Sequence, residues 1–223
     1  MASTGLRTFM FNTLNEDETG YAGTAQKLAI ACKLKTSFTT ADGGQYGDDE
    51  LQFEDNAITG GTLSIEVDDD NPEVFAPLLG KTESEVTIDT KKAKEYLTKT
   101  TDTPVPIGFG YIIPKRTKNG TKYHAKVFKK ITFKPYGDDA ETKGEKVSFK
   151  NAAIEGTIYP LNDEILWEME DESLEVVAAY IEKKLNRTSF TTLTKEENIR
   201  GDSSSSDTTT PTSTTTDTSK TSK

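Results

Sequence analysis

The chain has 223 residues, 37 Asp and Glu against 27 Lys and Arg, a formal net charge of −10, 33% hydrophobic residues and a mean hydropathy of −0.63. That length suits one large domain or two small ones with a real core. One Cys and one His exclude an internal disulfide framework and any cysteine-based zinc site, and leave His-dependent triads and multi-histidine metal sites little support, so composition points away from an enzyme.

Along the chain, Leu6 to Leu14 (with Phe9 and Phe11) reads as a strand. Leu28, Ile30, Cys32 and Leu34 then alternate with Ala29, Ala31, Lys33 and Lys35, which puts Cys32 in the apolar phase and predicts a buried, structural thiol. After a polar insert between Phe38 and Ala57, Leu63, Ile65 and Val67 alternate behind Gly60-Gly61. Asn71-Pro72-Glu73 opens a short helix that Gly80 closes, with Pro77 bending or shortening it. The stretch from Thr82 to Thr103 is polar and lysine-rich, with Ala93 to Leu97 a candidate helical turn.

Ile107, Phe109, Tyr111 and Ile113 alternate next. Asn119-Gly120 marks a hairpin, in a connection that Pro114 to Lys118 make longer than two residues. Tyr123, Ala125, Val127, Ile131 and Phe133 occupy one face of the following run, interrupted only at Lys129. Val147 and Phe149 begin another run, and Ile154, Gly156 and Ile158 a further one. Leu174, Val177, Ala178, Ile181 and Leu185 recur at helical spacing behind a Ser173 cap, with Glu175 early and Lys183 and Lys184 late, as the helix dipole favours. From Gly201 onward the chain is almost pure Ser, Thr and Asp; Asp202 to Lys223 holds 16 Ser or Thr in 22 residues and is predicted to be disordered. Seven or so short strands with turns between them predict a mainly β protein, an antiparallel sandwich or barrel.

The chemistry-bearing residues stay scattered. His124, between Lys122 and Lys126, reads as an exposed sheet histidine. Asp68-Asp69-Asp70-Asn71 and Asp48-Asp49-Glu50 lack the offsets of a calcium loop, and Gly43-Gly44 and Gly60-Gly61 match no phosphate-binding fingerprint. No catalytic, metal or cofactor residue is assigned. No run approaches the ~18 apolar residues of a membrane span, and Met1-Ala2-Ser3-Thr4-Gly5 lacks the regions of a signal peptide, so a soluble, cytosolically made protein is expected. From Lys115 to Lys134 there are eight Lys or Arg and no acid; with that stretch and the tail set aside, the other 181 residues carry −17. Lys118, Lys122, Lys126, Lys130 and Lys134 share one strand parity and predict a basic stripe. Three readings stand for it: a phosphate contact, a contact with an acidic surface of a neighbouring subunit, and a solvated face that guards an edge strand.

The ordered pieces resemble the major tail protein, or tail tube protein, of long-tailed siphophages. They are Gly5-Leu6 with its strand, the acidic turn Asn15-Glu16-Asp17-Glu18 and Tyr21 to Lys27, followed by Ala41-Asp42-Gly43-Gly44 with Glu50 to Phe53, and Gly61 to Asp68. Pro72-Glu73 through Gly80, Ile107-Gly108-Phe109-Gly110 and Phe133-Lys134-Pro135 come next, then Glu141-Thr142-Lys143-Gly144 and Ile154-Glu155-Gly156-Thr157. The resemblance implies a β-sandwich or barrel of the tail tube type with a short flanking helix over residues 1–167. A C-terminal helical extension over 168–200 and a disordered Ser/Thr-rich tail over 201–223 would follow. It implies a structural virion protein, assembled in the host cytoplasm, that forms stacked hexameric rings. Its expected partners are further copies of itself, the tape-measure protein, tail terminator and distal tail proteins, and DNA in transient passage, with no membrane and no cofactor. The insert between Phe38 and Ala57 matches the ring-bridging loop by position, which implies subunit contacts at Asp48, Asp49, Glu50, Leu51 and Phe53. Lys122 and Lys126 of the basic hairpin are candidate contacts beside them. The alternative is a β-sandwich binding module for carbohydrate or protein on a virion or cell surface.

Overall fold

Strand formation follows the alternation of apolar and polar residues, because successive side chains of a strand point to opposite faces. The computed structural model describes residues 2–3, 5–41, 43–47, 50–55, 57–118, 120–137 and 151–190. In chain order the strands are β1 (Ala2–Ser3), β2 (Arg7–Leu14), β3 (Tyr21–Lys27), β4 (Ala31–Thr40), β5 (Gly43–Gly47), β6 (Glu50–Asp55) and β7 (Ile58–Val67). Helix α1 (Pro72–Leu78) precedes β8 (Thr82–Ile88), β9 (Lys91–Leu97), β10 (Ile107–Thr117), β11 (Gly120–Phe133), β12 (Ala152–Tyr159) and β13 (Leu166–Asp171), and α2 (Leu174–Leu185) comes last. The protein is mainly β, all its strand pairs are antiparallel among the described residues, and it has two helices there.

The main sheet runs β3-β2-β10-β11-β12-β7-β4, with β1 added on β10 and β13 on β11. It curls over itself, so that Phe38 of β4 meets Phe128 of β11 with ring centroids 6.2 Å apart. The inner face holds the larger core: Phe9, Leu63, Ile65, Phe109, Phe128, Ile131 and Phe133 are all buried, and α1 closes one end with Phe75 and Leu78. Helix α1 begins as its sequence predicts, with the Asn71 side chain accepting from Glu73 N at 3.0 Å and Pro72 opening the first turn. Its stop at Gly80 has φ +74°, and a Cβ there would lie 2.4 Å from Thr103 O.

The outer face of β10 and β11 is covered by α2. Val177, Ile181 and Leu185 are fully buried against Ile112, Ala125 and Val127. The helix comes close because Gly110 has no side chain; a Cβ there would meet Ile181 Cγ2 at 2.5 Å. Residues Met1–Phe190 form one compact unit, and β13 spans Leu166–Asp171, so a boundary at residue 167 falls inside a strand. The run at Val147 and Phe149, the Glu141 to Gly144 turn and the Ser/Thr tail lie outside the described residues.

Several expectations change. Ala93 to Leu97 is not helical but part of β9, which pairs with β8 in a separate two-stranded sheet. Strand β10 continues through Pro114 to Thr117, and Thr117 pairs with Gly120, so the connection is only two residues long. Cys32 is exposed, not buried. An irregularity between the Ala31–Val67 and Lys33–Glu66 pairs shifts the phase at that point and turns Ile30 outward as well, 57% exposed.

Candidate functional site

The residues implied as subunit contacts fall on two hairpins. Glu50, Leu51 and Phe53 belong to β6, with Leu51 paired to Tyr46 and Phe53 to Gln45 of β5, while Asp48 and Asp49 lie outside the described residues. That hairpin extends from the ends of β4 and β7 and joins neither other sheet. Lys122 and Lys126 lie on β11, opposite Lys115 and Tyr111 of β10.

The basic stripe is broken by a bulge. Phe109 pairs with Phe128 but Ile107 with Ile131, so β11 spends one extra residue between them and its side-chain parity reverses. Lys122 and Lys126 therefore share the face of Phe128, while Lys130 and Lys134 share the opposite one, since Ile131 and Phe133 now point into the inner core. Most of these lysines are also neutralised within the chain: Lys126 bridges Glu168 of β13, Lys130 bridges Glu18 of the β2–β3 turn, and Lys134 lies 3.5 Å from Glu155 of β12. Strand β13 supplies acids because Glu168 and Glu170 pair with Lys126 and His124 across the ladder.

His124 is held inside this cluster rather than exposed, with its side chain 15% accessible. Its Nδ1 lies 2.6 Å from Lys115 Nζ and its Nε2 3.8 Å from Glu168 Oε1. Burial, with Lys115 beside it, pushes the imidazole below its ordinary pKa. Burial works the other way on Glu168, but the Lys126 hydrogen bond and charge outweigh it and hold that carboxylate below its ordinary range. A neutral imidazole therefore accepts from Lys115, and the cluster is an ion network laid across three strands.

The alternation marks Lys129 only as an interruption of its run and assigns it no role. That residue is 1% exposed. Its Nζ donates to Leu161 O at 2.9 Å and bridges Glu164 Oε2 at 3.0 Å, with the rings of Trp167 and Phe190 at 5.2 and 4.9 Å. Trp167 Nε1 donates to the same carboxylate oxygen at 3.2 Å, and Lys184 Nζ lies 4.8 Å from the Trp167 ring centroid. Burial raises Glu164, but the hydrogen bond and charge of Lys129 override it and its pKa is lowered. Every polar atom of Lys129 thus has a partner, and the residue pins the β12–β13 turn to β11. Only its place in an otherwise apolar register hints at that role.

Among the described residues no three of His, Cys, Asp and Glu are placed to hold a metal ion. The Asp68 run serves the fold: Asp68 Oδ1 accepts from Ile30 N at 3.0 Å. No described helix is long and apolar enough to cross a membrane. What remains is surface. Strands β3 and β4 end the main sheet on either side, and the β5–β6 and β8–β9 hairpins stand outside it. No protein-family model matches the chain, and no curated protein matches it in sequence.

Proposed function

We propose that this chain is a structural subunit of the tail tube type, which self-assembles into stacked, hexameric rings around a tape-measure protein and forms a conduit for phage DNA. The observation that carries the reading is the set of unsatisfied strand elements. Two hairpins belong to no larger sheet among the described residues, and β4 ends the main sheet with no strand on its other side there, while the outer edge of β3 is partly covered by the segment after α2, where Arg187 O and Asn186 Oδ1 accept from Tyr21 N and Ala25 N. A lone two-stranded hairpin is marginally stable in water, and an open edge invites another strand, so such elements make sense where a neighbouring subunit completes them. The order and spacing of the tail-tube-like pieces support the same reading. On it, tail terminator and distal tail proteins cap the tube, and the protein works in the virion without catalysis or cofactor.

Charge distribution is compatible with a conduit. Lysines facing a lumen would bind phosphates and retard passage. Lys126, Lys129, Lys130 and Lys134 are tied to acids of the same chain, which reduces their availability to phosphate. Lys122 has no ion pair among the described residues and is the better candidate for an intersubunit contact of the two named on β11.

Negative-stain electron microscopy of the concentrated full chain, at several salt concentrations and alongside a chain lacking the last 22 residues, tests the reading. Rings or hollow tubes are expected, with lower tube yield for Lys122→Glu. Monomeric particles that bind a sugar or protein ligand would replace it with the binding-module reading.

A further inference from the structure

The two cores meet along a seam that neither fills. Leu6 and Ala29 pack against the inner core, and Leu174 and Ala178 against the core under α2. These four residues and Ile30 line a groove of about 530 Å³ between the start of β2, the β3–β4 connection and the first turns of α2. That volume falls within the ~300–1,000 Å³ of small-molecule sites, which are apolar clefts with a few placed polar groups. Ile30 is 57% exposed at this edge, so the groove leaves apolar surface in water.

The charged groups of the lining are unequal. Arg7 and Lys27 stand on the sheet side, and neither has an ion pair among the described residues. Glu175 is the one acid of the lining, in the first turn of α2, where it answers the helix dipole. A bulge puts Arg7 in place: β2 takes three steps from Arg7 to Met10 while β10 takes two from Ile112 to Gly110. Without it, the alternation that sends Phe9 and Phe11 inward would send Arg7 inward too. With it, Arg7 pairs with Ile112 on the face that α2 covers. Thr8, within the bulge and in the lining, is held at φ 55°, a conformation that β-branched residues avoid and that recurs where ligands are held.

We infer that this groove binds an anionic amphiphile with one alkyl tail, the tail lying along Leu6, Ala29, Leu174 and Ala178 and the carboxylate head at Arg7 and Lys27. An apolar trough beside two cations that lack acids matches a ligand with one apolar end and one negative end. A carboxylate can also take the Arg7 guanidinium in two parallel hydrogen bonds. The site belongs to the single chain and goes beyond the assembly reading, on which it does not depend.

Calorimetric titration of the full chain with octanoate and decanoate, both below the concentrations at which they form micelles, tests the inference. One site per chain is expected, with decanoate bound about tenfold more tightly than octanoate because two more methylenes leave water. Decyltrimethylammonium, the same tail under a cationic head, should bind about tenfold more weakly than decanoate, and Arg7→Ala and Lys27→Ala should each weaken decanoate by a similar factor. Glu175→Gln should tighten it, since the one opposing charge is gone. Methyl NMR of the unsubstituted chain gives a readout that no folding defect can disturb: decanoate should shift the Ala29 and Ala178 signals. Equal binding of the two decyl compounds, shifts confined to alanines elsewhere, or no saturable binding would each overturn the inference. Loss of self-association in Ala178→Phe, in a chain that does not bind decanoate, would overturn it too and assign the groove to a second copy.

Discussion

Helix α2 and the β8–β9 hairpin both repeat apolar residues along one side, and they differ in where those residues end up. The helix buries Val177, Ile181 and Leu185 completely against β10 and β11, through the gap that Gly110 leaves. The hairpin leaves Ile88 and Leu97 in water, on a face that also carries Lys91 and Glu95, and pairs the charges of its other face. Segments of similar patterning thus contribute to different levels of organisation. The helix stabilises the monomer, and under the assembly reading the hairpin stabilises contacts between monomers.

Substitutions separate the two roles. Ile181→Ala should lower the unfolding free energy by about 2–5 kcal/mol in urea titrations, the usual cost of emptying a packed core site. If the loss is under ~0.5 kcal/mol, α2 is an appendage and the contrast fails. Lys129→Ala should cost about 1–3 kcal/mol, because the Leu161 carbonyl and Glu164 lose their buried donor. Lys129→Met should do less harm than Lys129→Ala, since it keeps the packing under Trp167 and Phe190.

Acid titration should give a smaller effect. Glu164 and Glu168 have folded pKa values below their ordinary 4.5, so their stabilisation is present above that value and fades as pH falls through the lower folded pKa. The depressed His124 acts in the same direction at higher pH: its contribution is intact above 6.5 and declines as pH drops below it, because the unfolded chain takes up the proton first. Glu164→Gln should flatten the lower window and His124→Gln the upper one, read as midpoint of thermal unfolding against pH. Smallest of all, Ile88→Ser and Leu97→Ser should change monomer stability by less than ~0.5 kcal/mol, as exposed sites do, while reducing association in sedimentation runs.

Alternation revealed the centre of the fold because it reflects burial directly. Ile107, Phe109 and Tyr111 line the inner core as their spacing predicts, and Ser173 caps α2 where the pattern begins. It misled where one extra residue enters a ladder. The bulge after Phe128 reverses the lysine stripe, and the irregularity at Ala31 exposes Cys32, neither of which leaves a mark on composition. The β8–β9 hairpin was misread for a different reason: the Lys and Glu residues around Ala93 to Leu97 suit a helix by propensity, and cross-strand pairing decided otherwise. Of the candidate contacts, Lys126 proved to have an intrachain partner that only the approach of β13 supplies.

Sedimentation velocity of the full chain across a concentration series, with the fastest fraction imaged in negative stain, tests the central claim most directly. Self-assembly predicts that the 24.5 kDa chain gives way to a species of six copies and then to far larger, hollow ones. A single 24.5 kDa species at every concentration and salt would contradict it.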